Sequence, residues 1–379
     1  MLRFGHLLQA LTVSLPSDFL SACFKPGVPM ATRDTIVIGA SAGGVQALST
    51  LVAALPRDLP AAVFIVLHVP ADAPSLLPGI LARDSQLPIE HPRSGEPIRP
   101  SHIYVAPPDH HMLIQGALVK LVHGPKENLH RPSIDALFRS AARWCGPRVI
   151  GVVLTGARDD GTVGMSAIKQ RGGITIVQDP GEASFPSMPL NVMQQIQVDY
   201  SLRLRDIAPL LTRLSQEQAA EEGSYRVSDE VEIETKISAQ NMDASELFAS
   251  VERLGKISKL TCPDCHGALW EINDDDILRF RCHVGHAFSA ESLEDGQSQM
   301  LEMALWSAVR ALEEKMILAR RIVERLRKAN QTPAASMFER RAEQAERSSN
   351  AIRELLLGKE KGELAQQSMN ENTDELIVS

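Results

Sequence analysis

Three residues, each following a short apolar run, could together perform acyl transfer: Ser41, His68 and an aspartate at 159 or 160. Ser41 stands in Gly39-Ala40-Ser41-Ala42-Gly43, between an apolar run and a helical stretch. Small neighbours allow the turn to tighten and lift the serine hydroxyl clear of a sheet. Alone, the pattern fits a phosphate-binding loop equally well. The next apolar run, Phe64–Leu67, ends in His68. A dinucleotide domain wants a carboxylate there for the ribose, whereas an imidazole can serve as a general base. A third run, Val152–Leu154, leads into Thr155-Gly156-Ala157-Arg158-Asp159-Asp160-Gly161. A serine is a poor nucleophile until a base takes its proton, and a carboxylate fixes the tautomer of that base. Asp159 and Asp160 are equally placed for this last task.

The elements around these residues explain how they could meet. Thr35–Gly39, Ala62–Leu67, Val149–Leu154 and Thr175–Gln178 are short, apolar and β-branched, as buried parallel strands are. Helical stretches alternate with them, at Val45–Leu55, Ser133–Trp144 and Gly164–Gln170. The alternation predicts a doubly wound parallel α/β sheet, Rossmann-like. In such a sheet every strand ends on the same edge, so Ser41, His68 and Asp160 can converge there. Ile103–Ala106, Met112–Gln115 and Leu118–Val122 read as further strands, with Gly116 turning a hairpin appended to the sheet. The chain order serine, histidine, aspartate disfavours the α/β-hydrolase fold, whose order is serine, acid, histidine.

A second constellation lies further on. Cys262-Pro263-Asp264-Cys265 and Cys282-His283-Val284-Gly285-His286 are spaced as zinc ligands on a β-hairpin. Cys262, Cys265, Cys282 and His286 are the expected set, with His283 the alternate for the last place. Four protein ligands close the shell, so the expected Zn2+ is structural, and catalysis itself is expected to need no cofactor. Leu269–Ile272 and Ile277–Phe280 are the expected hairpin strands. A redox Cys-x-x-Cys suits the third cysteine and the histidines poorly. Cys23 and Cys145 read as bystanders.

The chain of 379 residues has 44% hydrophobic and 23% charged residues and a net charge of -8. That balance suits two or three globular units and argues against nucleic acid as a partner. No apolar run reaches the roughly 18 residues of a membrane span. The cysteine usage suggests a reducing, cytoplasmic setting. The expected organisation is a disordered segment over 1–33, with the folded part starting near Met30, and a catalytic unit over 34–214. A polar linker over 215–254, a zinc-binding module over 255–290, a helical hairpin over 291–358 and a disordered tail over 359–379 follow.

Several of these segments together resemble the chemotaxis receptor methylesterases, or protein-glutamate methylesterases. The resemblance runs from about Thr35 to Leu211. It rests on residues 38–44, His68-Val69-Pro70, Tyr104–Pro108 with His111, His130–Asp135, Leu154–Gly156 through Asp159–Gly161, and Met188-Pro189. It implies hydrolysis of glutamate γ-methyl esters on methyl-accepting chemoreceptors, with deamidation of receptor glutamines in some members. By motif, Ser41 is the nucleophile, His68 the base and Asp160 the orienting acid. Backbone N–H groups at Ala42 and Ala157 are the implied oxyanion donors. The resemblance departs in two ways: no phosphorylatable receiver domain fits ahead of Thr35, and Ala157 stands where a methionine is common. Zinc-ribbon-like extensions follow the domain in some relatives. A catalytically idle regulatory protein of a chemosensory-like pathway is the alternative, which the intact triad disfavours.

Overall fold

The computed structural model describes residues 32–377 except 73, 222, 224, 275 and 276. Its first part is an α/β unit in chain order. β1 (Thr35–Ala40), α1 (Gly44–Ala53), β2 (Ala62–Leu67), α2 (Leu77–Leu81), β3 (Ile89–Glu90) and β4 (His102–Val105) come first. A hairpin of β5 (His111–Gln115) and β6 (Leu118–Val122) follows. Then come α3 (Ile134–Cys145), β7 (Val149–Val153), α4 (Thr162–Gln170), β8 (Ile174–Gln178), α5 (Ser187–Gln195), β9 (Tyr200–Leu202) and α6 (Leu204–Leu214).

Seven strands form one sheet in the order β3-β4-β2-β1-β7-β8-β9, and every pairing is parallel. β1, β2 and β7 are buried along their whole length, which is why they read as continuous apolar runs. One core lies on the side of α1, α2 and α6, built from residues such as Leu48, Leu51, Leu81 and Leu211. The other lies beneath α3, α4 and α5, with Phe138, Met165, Ile168 and Met188. The expected doubly wound fold is therefore present, and the hairpin is a separate two-stranded sheet turning at Gly116, whose φ is 63°. β1 is the point at which successive strands switch direction across the sheet, the usual place for a ligand crevice.

Residues 229–254 differ from the predicted linker. α7 (Asp229–Ser238) and α8 (Ala244–Leu254) are capped helices, with Ser228 accepting from Val231 N–H and Asp243 from Glu246 N–H. The charges of α7 that read as solvated are used in ion pairs. Glu232 meets Arg143 of α3, and buried Glu234 meets Arg279 and Arg281. Composition could not distinguish a solvated acidic stretch from one facing buried arginines.

The expected hairpin of the cysteine module is a four-stranded antiparallel sheet. It comprises β10 (Lys256–Thr261), β11 (Ala268–Asp274), β12 (Ile277–Cys282) and β13 (Ala287–Ser289). α9 (Ala290–Lys328) begins at once, with Ser289 as its N-cap, and α10 (Thr332–Ile377) packs along it. The pairs Arg327–Glu339, Arg320–Glu346 and Arg353–Glu313 show the antiparallel course expected of a helical hairpin. α10 continues through Gly358 rather than ending in a disordered tail. A helical glycine costs only about 1 kcal/mol, and the Lys-, Glu-, Ala- and Gln-rich residues beyond it favour helix. The predictions for residues 1–31, Cys23 among them, lie outside the described residues. Among those described, no helix is long and apolar enough to cross a membrane.

Candidate active site

Ser41 follows β1 directly, with its N–H donating to the Thr155 carbonyl at 3.0 Å. The left-handed residue of the turn is Gly43, at φ 73°, which caps α1, while the serine itself is not in that region. The Thr155 hydroxyl donates to the Ala42 carbonyl at 3.0 Å, tying the turn to the strand end beyond β7. Two glycines let neighbouring side chains come close to the backbone here. A Cβ on Gly39 would stand 2.5 Å from Cγ2 of Ile134, the first residue of α3. A Cβ on Gly156 would meet Met188 Sδ at 2.0 Å and the Ser41 Cβ at 2.9 Å.

His68 follows β2. Its Nδ1 is 3.1 Å from Ser41 Oγ, and its Nε2 is 2.8 Å from Asp160 Oδ2. The tautomer that satisfies both contacts carries its proton on Nε2, leaving Nδ1 free to accept from the hydroxyl. Serine hydrolases more familiarly turn Nε2 toward the hydroxyl, but either nitrogen can take the proton. The His130 ring stacks on His68, with centroids 3.6 Å apart and planes 9° apart. Burial, and then the neighbouring His68, lower the His130 pKa to about 3, so this ring is neutral at ordinary pH.

Asp160 is the best-held carboxylate of the site. Its Oδ2 also accepts from Ile134 N–H at 2.7 Å, and its Oδ1 accepts from Ser133 Oγ at 3.0 Å, Asp135 N–H at 3.2 Å and Asn128 Nδ2 at 2.9 Å. The carboxylate thus caps the N-terminus of α3, where free N–H groups favour negative charge. Burial would raise its pKa, but the hydrogen bond and charge of His68 and the Ile134 N–H outweigh this and hold it below the usual carboxylate range. Asp135 is pushed the other way by burial and then by the charge of Asp160. Asp159, left open as an alternative, points elsewhere and accepts from Ser289 Oγ at 2.8 Å.

Ala42 is half-buried and Ala157 exposed at the same rim. Among the described residues, neither backbone N–H has a hydrogen-bond partner, which leaves both available to an anion. Arg158, next to Ala157, is left-handed at φ 68° and donates its own N–H to Ser187 Oγ at 3.1 Å.

Sequence reasoning singled out Ser41, His68 and Asp160 but gave no role to Asn128, His130, Ser133 or Asp135. Ser133 and Asp135 carried a signal, since Pro132-Ser133 before a helix with an acid in its first turn marks an N-terminus. Asn128 carried none, because all its partners but Asp135 come from distant parts of the chain.

The second site is equally compact. The ligand atoms of Cys262, Cys265, Cys282 and His286 all lie within 4.8 Å of one another. The His286 Nδ1 is 3.7 Å from the Cys262 Sγ and 3.5 Å from the Cys282 Sγ. Cys265 and Cys282 have their sulfurs 3.7 Å apart. Three sulfurs and one imidazole nitrogen at such spacing fit a tetrahedral cation. His283 is exposed, stands edge-on to Trp270 and is not among the clustered ligand atoms.

Residues 36–211 match the family described as CheB methylesterase. A protein of Leptospira interrogans, provisionally named a protein-glutamate methylesterase/protein-glutamine glutaminase, is 39% identical over 184 residues, which are 48% of this chain and 95% of that relative. The chain belongs to the CheB methylesterase family. Protein-glutamate methylesterase/protein-glutamine glutaminase 4 of Anaeromyxobacter dehalogenans is 38% identical over 49% of this chain, but the match spans only 53% of that relative. The crystal structure of the Thermotoga maritima CheB methylesterase catalytic domain is 32% identical, with a TM-score of 0.46, over 48% of this chain and 98% of that one. The CheB methylesterase match thus ends at α6, and all of the cysteine module lies beyond it.

Proposed function

We propose that this chain hydrolyses γ-methyl esters of protein glutamates, with methyl-accepting chemoreceptors as the substrate, and that Ser41, His68 and Asp160 perform the reaction. The observation that carries this reading is one continuous proton path, 3.1 Å from Ser41 Oγ to His68 Nδ1 and 2.8 Å from His68 Nε2 to Asp160. Ser41 Oγ attacks the ester carbonyl while His68 Nδ1 takes its proton. Asp160 stabilises the resulting imidazolium and keeps the ring oriented. The tetrahedral oxyanion lies toward the Ala42 and Ala157 N–H groups, where such donors contribute about 3–4 kcal/mol. Collapse breaks the carbon–oxygen bond, and His68 returns its proton to the departing methanol. Water then attacks the acyl-serine by the same relay, releasing glutamate and restoring Ser41. Glutamine deamidation follows the same course with ammonia leaving, as the relatives' double name suggests.

Cys262, Cys265, Cys282 and His286 would hold a structural Zn2+. With every ligand supplied by the protein, the ion would brace the four-stranded sheet and take no part in ester cleavage. Metal analysis of the purified full chain under reducing conditions should find about one zinc per chain by this ligand count. Material that is folded and metal-free would remove the assignment.

The test of the activity is methanol release from a receptor fragment methylated at glutamate. The wild-type chain should release methanol and Ser41→Ala should not. Release that survives the substitution would dismiss Ser41 as the nucleophile.

A further inference from the structure

One neighbour of Asp160 lies away from the strand ends and from the start of α3. Asn128 is buried, with φ 51°, in the segment just before His130. Its Nδ2 donates to Asp160 Oδ1 at 2.9 Å and to Asp135 Oδ2 at 2.8 Å, bridging two buried carboxylates. Its Oδ1 accepts from Ser289 N–H at 2.9 Å and from Ser292 Oγ at 3.2 Å. These last two donors come from the end of the cysteine module and the first turn of α9. The same module grips the backbone of the segment, with Asn128 N–H donating to the Ala287 carbonyl at 2.8 Å and Ala287 N–H donating to the Lys126 carbonyl at 3.3 Å.

An amide side chain has two orientations related by a half-turn, and its surroundings decide between them. A backbone N–H can only donate, so Ser289 obliges Asn128 to present oxygen on that side. The NH2 must then face the two carboxylates. The charged Asp160 carboxylate can only accept and selects the same orientation, so Ser289 and Ser292 add a second hold on the amide from its far side.

We propose that Asn128 is a positioning residue for the Asp160–His68 pair and that the C-terminal module anchors it through Ser289 and Ser292. The inference rests on the esterase reading above. Asn128 touches neither Ser41 nor the ring of His68. It acts by keeping the Asp160 carboxylate in the plane and at the distance that hold the imidazole.

The test compares kcat and KM for methanol release by the full chain and by Asn128→Ala, Asn128→Asp, Ser292→Ala and the double variant Asn128→Ala/Ser292→Ala. Ser41→Ala is carried alongside. A hydrogen bond to a buried charge is worth a roughly ten- to hundredfold effect, so Asn128→Ala should lose about that much kcat with KM little changed. Asn128→Asp keeps the shape but adds a third acid beside Asp160 and Asp135, and it should be slower still. Ser292→Ala should lose several-fold in the wild-type background and nothing further once Asn128 is already alanine. A residue that merely stabilised the fold would lower the melting temperature without this split between kcat and KM. The positioning role is overturned if the folded Asn128 variants keep wild-type kcat. The module's part in it is overturned if Ser292→Ala keeps wild-type kcat or adds its full effect to Asn128→Ala. Should Asn128→Ala fail to fold, Asn128→Asp decides the first point and Ser292→Ala alone the second. Methanol release by Ser41→Ala would instead strike at the esterase reading, so the two failures are distinguishable.

Discussion

Asp159 and Asp160 are adjacent in sequence and opposite in chemistry. Asp160 is charged by virtue of His68 and three donors at the start of α3, and its role depends on that charge. Asp160→Asn should leave the fold in place but cost roughly a thousand- to ten-thousandfold in kcat, because the wrong tautomer of His68 is then favoured. Steady-state methanol release with a circular dichroism control would check it. Asp159 is raised from 3.8 to about 6, first by burial and against the hydrogen bond from Ser289. The folded chain therefore holds a proton there that the unfolded chain gives up near 4, and the stability this contributes is lost as pH rises through 6. Asp159→Asn cannot ionise. It should be more stable than wild type at pH 8 by roughly 1–3 kcal/mol and no different at pH 4, as thermal melts at the two pH values would show. Neither distinction was legible in the sequence, where the two acids share every neighbour. What separates them is which strand and helix each happens to face.

At the level of elements, the catalytic half was largely legible because its strands are buried on both faces. β1, β2 and β7 stand within a residue of their expected bounds, and α1, α3 and α4 within two. The two edge strands β3 and β9, of two and three residues, were missed. They are half-exposed and too short to carry a pattern. α6 escaped for a different reason, since it carries Pro209 inside, a residue that usually breaks helices. The close approach of α3 to β1 is one place where a single methyl group would be felt. Gly39→Ala sets a carbon 2.5 Å from Ile134 and should cost about 1–3 kcal/mol in urea unfolding. It should also slow ester hydrolysis, because Ser133 and Ile134 move with that helix turn and both hold Asp160.

Across the whole molecule, the part beyond residue 214 is fastened to the catalytic unit by charge. Glu127 and Arg139 of the α/β unit, Glu234 of α7, and Arg279 and Arg281 of the module form one buried ionic cluster. Burial would raise the pKa of Glu234, but Arg279, Arg281 and Arg139 together hold it below the usual carboxylate range. Removing one member of such a cluster leaves uncompensated charge. Glu234→Ala should destabilise the chain by about 3–5 kcal/mol, measured by denaturant unfolding, whereas loss of the exposed Arg310–Glu314 pair through Glu314→Ala should cost under about 1 kcal/mol. None of this cluster could be read from the letters, because its members are spread from 127 to 281 and each resembles an ordinary surface charge.

The bridge from Ser289 to Asn128 also bears on the order of events during synthesis. A nascent chain possesses its serine, imidazole and carboxylate once residue 160 has left the ribosome, and the parallel sheet can close soon afterwards. The two donors that hold the far side of the Asn128 amide arrive only with the strand before the long helix and the first turn of that helix. The Asp160 carboxylate would lack that anchor until Ser292 has left the ribosome.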